Sequence, residues 1–78
     1  MNVEILTPEK SLFNGDAKLV QLPGIDGSFE IMNNHAPIIS TLSVGKIKIV
    51  EPNGNKLFFD IAGGMIEASN NKVSILAE

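Results

Sequence analysis

Few residues in this chain have the type and spacing that chemistry demands. Gly45-Lys46 echoes the end of a phosphate-binding loop, but the upstream glycine is missing. Ile47 stands where a Ser or Thr would hold magnesium, so the pair reads as a strand starting after a turn. Asp26, Ser28 and Glu30 alternate like the first ligands of a calcium loop. Ile31 then occupies the position that needs glycine, and Pro37 the position that needs a bidentate glutamate. The residue types of a Ser-His-Asp triad are present, yet no Gly-x-Ser-x-Gly elbow occurs. No two carboxylates are placed by spacing for acid–base work. The single histidine, His35, lies in the turn-rich segment Asn33-Asn34-His35-Ala36-Pro37, where a ring can satisfy backbone groups or meet a partner. With no cysteine and one histidine, neither a disulfide nor a Cys- or His-rich zinc site can be assembled. No catalytic residue, cofactor, metal or small-molecule substrate is expected.

What remains is a surface held up by a small scaffold. The chain has 78 residues, 44% of them hydrophobic and 19% charged, which is a globular balance in a single domain, residues 1–78. A domain this small buries only about 60% of its unfolded surface, so its core is thin. The net charge is −3 and all six basic residues are lysines. Nucleic-acid binding, which wants a basic stripe rich in Arg, is therefore not expected, nor is attachment to anionic lipid through a polybasic patch. No apolar run approaches the ~20 residues of a membrane span. Met1-Asn2-Val3-Glu4-Ile5 has neither a basic nor an apolar leader region, so no secretory signal and no direct membrane insertion are expected.

The elements are short. Breakers fall at Thr7-Pro8, Asn14-Gly15, Pro23-Gly24, Asp26-Gly27, Asn33-Asn34, Pro37, Gly45, Pro52-Asn53-Gly54, Gly63-Gly64 and Asn70-Asn71. The pieces between them have the roughly 4 to 8 residues of strands, and none sustains a 3.6-residue period. Val3 and Ile5 alternate with Glu4, Ile47 and Ile49 with Lys46 and Lys48, and Val73 and Ile75 with Lys72 and Ser74. Each set lines one strand face with apolar side chains and the other with polar ones. Asn53-Gly54 marks a hairpin, and Asn70-Asn71 a second, because Asn tolerates positive φ. Asn14-Gly15 is expected to be a turn or a bulge within one long strand from Lys10 to Leu22. The expected fold is all-β: a small sandwich or flattened barrel of about eight to ten short strands, with no C-terminal helices. In Lys56–Ile61, alternation turns Leu57, Phe59 and Ile61 inward. Phe58 then faces outward between Lys56 and Asp60, on a surface suited to a partner or, alternatively, on a strand covered on both faces.

Six motifs, in order and end to end, resemble the ε subunit of the F-type ATP synthase. Thr7-Pro8-Glu9-Lys10-Ser11-Leu12-Phe13-Asn14-Gly15 is similar to the family's "TPE…LF.G", and Leu22-Pro23-Gly24-Ile25-Asp26-Gly27-Ser28-Phe29 to its "LPG..G.FG". His35-Ala36-Pro37 is similar to "GHAP", and Val44-Gly45-Lys46-Ile47-Lys48-Ile49 to "L..G.V.I". Gly63-Gly64-Met65-Ile66-Glu67 and Asn71–Glu78 resemble "GGF.EV" and "N.VTVLAE". The resemblance implies a β-sandwich with no chemistry of its own. It would sit at the foot of the γ subunit on the ring of c subunits, and so couple proton flow to ATP synthesis on other subunits. By the same resemblance it belongs peripherally to the F1 sector, on the cytoplasmic face of a bacterial inner membrane. Ser28, Phe29, Glu30, Ile31, Met32, Asn33 and Asn34 map toward the c ring, and His35 through Ser40 toward γ. Glu30 replaces the family's usual glycine and Asn33-Asn34 its Pro-Gly, with Asn able to supply the positive φ. The family usually continues past "VLAE" into a two-helix domain that inhibits ATP hydrolysis and in some members binds ATP. With the sequence ending at Glu78, neither activity is expected of these residues.

A different class of protein is an alternative, a biotinyl or lipoyl carrier modified at Lys72 beside the Asn70-Asn71 hairpin. The Met-Lys-Met signature of biotinyl carriers is absent. A sugar-binding sandwich would need exposed Trp or Tyr for stacking, and the chain has neither.

Overall fold

A computed structural model describes residues 1–78. It contains nine strands of five or six residues and no helix: β1 (Asn2–Leu6), β2 (Ser11–Asp16), β3 (Leu19–Gly24), β4 (Gly27–Met32), β5 (Ile38–Leu42), β6 (Gly45–Val50), β7 (Lys56–Ile61), β8 (Gly64–Ser69) and β9 (Lys72–Ala77). They are hydrogen-bonded in the order β2-β1-β9-β8-β5-β3-β6-β7, with β4 added to β3. The path bends at β5 and β3, which share only the pairing Gly24↔Leu42. That corner divides the sheet into two layers, β2-β1-β9-β8-β5 and β4-β3-β6-β7. The far ends meet where the Phe13 ring on β2 packs 6.0 Å from the Phe59 ring on β7. The result is the expected sandwich, nearly closed into a flattened barrel.

Period-2 alternation builds the core. Val3 and Ile5, Val20 and Leu22, Ile47 and Ile49, and Val73 and Ile75 are all buried, and each pair comes from one strand. Burying each such side chain contributes about 1.5–3 kcal/mol. β-Branched residues dominate because their stiff side chains pack well on a pleated surface. No polar or charged residue is buried, so the core asks nothing of hydrogen bonding. β1 pairs in parallel with β9, Val3 beside Val73 and Ile5 beside Ile75, so the first and last strands lie side by side in the middle of one layer.

Both marked hairpins form. Asn70 and Asn71 have φ of 52° and 59°, and Gly54 has φ of 92°. Asn34 also takes positive φ, 63°, so the turn expected at Asn33-Asn34 is made. The expected long strand from Lys10 to Leu22 is corrected. Asn14 and Gly15 lie inside β2, paired with Glu4 and Val3. The chain instead breaks at Ala17-Lys18, where Ala17 N–H donates to the Met1 carbonyl and Lys18 N–H to that of Val50. There it passes from one layer to the other, and the buried Ala17 is small enough to fit the crossing. The irregularity in this pair falls at Leu12, which has no partner between Ile5↔Phe13 and Leu6↔Ser11. In β7 the expected facing holds: Ile61 is buried, Leu57 and Phe59 pack half-buried on the core, and Phe58 is 58% exposed.

Candidate interaction surface

β4 is paired along one edge only, to β3. Its alternation turns Ser28, Glu30 and Met32 outward and Phe29 and Ile31 inward. Ile31 is 1% exposed and belongs to the core cluster, which corrects its place among surface contact residues. A side chain already packed there has nothing to offer a partner. Phe29 is half-buried and packed against the same cluster. Gln21 of β3 pairs with Glu30, and its Nε2 donates to Ser28 Oγ at 3.3 Å. The β4 face therefore includes a β3 residue, brought beside it by the β3–β4 hairpin pairing.

The loop after β4 is held from two sides. Asn33 Oδ1 accepts from the Met1 amino group at 2.6 Å. Asn34 N–H donates to Asn71 Oδ1 at 2.8 Å, tying the loop to the β8–β9 hairpin. His35 N–H closes the turn onto the Met32 carbonyl. The His35 ring is exposed, with Nδ1 2.6 Å from the Ala36 carbonyl oxygen. A carbonyl only accepts, so Nδ1 carries the hydrogen, and in the neutral ring Nε2 is left as an acceptor. The segment Asn33–His35 is thus a preformed polar corner.

On β5, Ser40 is half-buried opposite the buried Ile66, with Ile39 and Thr41 on the exposed face. This places the residues available to a partner one position to either side of Ser40. Register then joins residues from four strands. Leu6 pairs with Leu76, Leu76 with Met65 and Met65 with Thr41, so an apolar row crosses the outside of β1-β9-β8-β5. Next to it runs a polar row, Glu4, Ser74, Glu67, ending at Ile39. Ile39, Met65 and Leu76 are 68%, 51% and 59% exposed, and with Leu6 they line a groove of about 280 Å³. Sequence reading missed this surface. Its members are far apart in the chain, and only the parallel β1–β9 pairing brings Leu6 into it.

Lys72 is the first residue of β9, paired with Ser69 and Asn2. Its side chain stands on a sheet face, and the tip of the hairpin belongs to Asn70 and Asn71. A larger hollow of about 720 Å³ lies at the opposite end from this hairpin, among Thr7, Pro8, Leu42, Gly63 and Glu78. No three His, Cys, Asp or Glu side chains converge anywhere.

The family model for the β-sandwich domain of the ATP synthase delta/epsilon chain matches residues 1–78. The chain belongs to that family. Among ATP synthase epsilon chains, that of Protochlamydia amoebophila is 43% identical over 97% of this chain. That of Chlorobium limicola is 40% identical over 97%, and that of Caulobacter vibrioides 37% identical over the whole chain. The chain spans about half of the Protochlamydia relative (52%) but 86% and 90% of the other two. Two solved chains share the fold of this delta/epsilon-type domain. One, from the Euglena gracilis mitochondrial ATP synthase OSCP/F1/c-ring assembly, gives a TM-score of 0.90 at 14% identity, covering 96% of this chain and 48% of its own. The other, from the Tetrahymena thermophila mitochondrial ATP synthase central stalk and c ring, gives 0.80 at 23%, covering 97% and 61%. At those identities the likeness speaks for the fold.

Proposed function

We propose that this chain is a non-catalytic component of the central-stalk rotor of a proton-translocating F-type ATP synthase. It links the γ subunit to the c ring and so couples proton flow to ATP synthesis, which takes place on other subunits. The observation that carries this reading is the family match over all 78 residues. The surfaces support it. A small, rigid sandwich with preformed polar and apolar patches suits a part that transmits torque, and the molecule presents two distinct faces.

The exposed members of the β4 segment, Ser28, Glu30, Met32, Asn33 and Asn34, offer the c ring a moderately polar contact, with Gln21 beside them. His35 and the apolar row next to Ile39 offer γ a larger hydrophobic one, of the kind that forms the buried centre of a stable interface. No helix is long and apolar enough to cross a membrane. The chain would be held peripherally, as part of the F1 sector, on the cytoplasmic face of a bacterial inner membrane. The quoted relatives that are closest in length are bacterial.

Co-expression with the γ and c subunits of the same genome tests the reading. Affinity purification through a tag on γ should carry this chain with it through gel filtration, and detergent-solubilised c ring should join the complex. Elution of the chain alone, under conditions in which γ binds its other partners, would overturn the proposal.

A further inference from the structure

The outer face of the β6–β7 hairpin lies across the sandwich from the Leu6–Leu76–Met65 row and continues, through the pairing of Lys48 with Gln21, the sheet face that carries Glu30. Phe58 stands on it, 58% exposed. Register sets Phe58 directly beside Lys48 and pairs Lys46 with Asp60 and Val50 with Lys56. Lys56 and Asp60 are also the same-face neighbours of Phe58 along its own strand. The ring therefore has Lys48 across the strand pair and Lys56 and Asp60 before and after it on its own face.

Lys46 Nζ donates to Asp60 at 2.7 Å, and this is the molecule's one ion pair. Lys48 and Lys56 are unpaired. On a chain of net charge −3, the face is locally basic, with two uncompensated ammonium groups about an exposed aromatic ring. Lysines do guard exposed strands against aggregation. That role accounts for the charges but leaves unexplained an outward Phe at a strand position that a Thr or Lys would fill equally well.

We propose that this face is a docking surface for an acidic protein segment carrying an apolar side chain. The segment's carboxylates would take Lys48 and Lys56, and its apolar residue would cover Phe58. Charge selects the occupant: a basic or neutral segment would leave the two lysines uncompensated, whereas an acidic one neutralises them.

The test is a titration of the isotopically labelled chain with the blocked peptide Glu-Glu-Leu-Phe-Glu-Glu, read by amide chemical shifts. Saturable shifts are expected in Lys46–Val50 and Lys56–Asp60, weakening as salt is raised. The control peptide Lys-Lys-Leu-Phe-Lys-Lys should give none. Reversing both lysines (Lys48→Glu with Lys56→Glu) should weaken binding by roughly tenfold or more, since two exposed attractions become repulsions. Phe58→Ser should weaken it at least several-fold while the amide spectrum elsewhere shows the fold unchanged. Shifts that map outside β6–β7, fail to saturate, or persist in both variants would overturn the proposal.

Discussion

Phe58 and Phe59 are adjacent and chemically identical, yet they have opposite fates because a strand alternates its faces. Phe59 packs on the core and against Phe13. Phe59→Ala should therefore cost about 2–3 kcal/mol in denaturant unfolding, near or below the low end for aromatic truncation because the ring is only half-buried. Phe58→Ala should change stability by no more than about 0.5 kcal/mol. If Phe58→Ala proved the costlier, the facing of β7 would be reversed. The same contrast separates Ile31 from Met32. Ile31→Ala should cost about 2–5 kcal/mol and Met32→Ala almost nothing, although both lie in the segment that resemblance assigns to a partner. Alternation within β4 was available to correct that assignment in advance. A motif names a stretch of chain, but a strand offers only every second residue to any one face.

Between strands, the turns are where single residues matter most. Gly64 has φ of 151°, and a Cβ there would run into the Leu76 carbonyl oxygen on the paired strand. Gly64→Ala should force β8 and β9 apart at this end and cost several kcal/mol, roughly the sum of backbone strain and overpacking. Asn34 has the same left-handed preference without the crowding. Asn34→Gly should be nearly neutral and Asn34→Val should cost about 1–2 kcal/mol, both read from thermal or denaturant unfolding. These turns were legible in the sequence because Gly, Asn and Pro declare their backbone preferences locally. The strands were legible for a similar reason, through alternation over a few residues.

Pairing was not legible. Nothing near Leu6 announces that β1 lies parallel to β9, so the apolar row Leu6, Leu76, Met65 could not be assembled before the fold was known. The break at Ala17-Lys18 was missed because neither residue is a turn former. What ends β2 there is the need to cross between layers, a tertiary cause that leaves no mark on local spacing.

For the molecule as a whole, the proposed function rests on two separate faces of one body, and variants should separate them. Glu30 is exposed and has no cation within ion-pair distance. Replacing it should leave the unfolding midpoint unchanged, so any effect on assembly reports the contact itself. A single exposed ion pair with the c ring would contribute only about 0–1 kcal/mol, and Glu30→Gln should assemble almost normally. Glu30→Lys does more than delete the pair. Against a basic c loop it introduces repulsion, which should weaken rotor assembly or uncouple ATP-driven proton pumping, most clearly at low ionic strength where screening is least.

His35 sits in a corner held by bonds of Asn33, Asn34 and Asn71 that do not use its ring, and the ring bonds only to the carbonyl of its neighbour Ala36. His35→Ala should therefore keep the fold and c-ring association while loosening γ. Measuring γ binding, c-ring binding and proton pumping for the three variants at two salt concentrations gives each face its own signature. Salt-dependent loss of ring contact is expected for Glu30→Lys, and loss of γ affinity without ring loss for His35→Ala. If Glu30→Lys assembles and pumps like the parent at low salt, the proposed charge contact with the ring is wrong and Glu30 is an ordinary solvated residue.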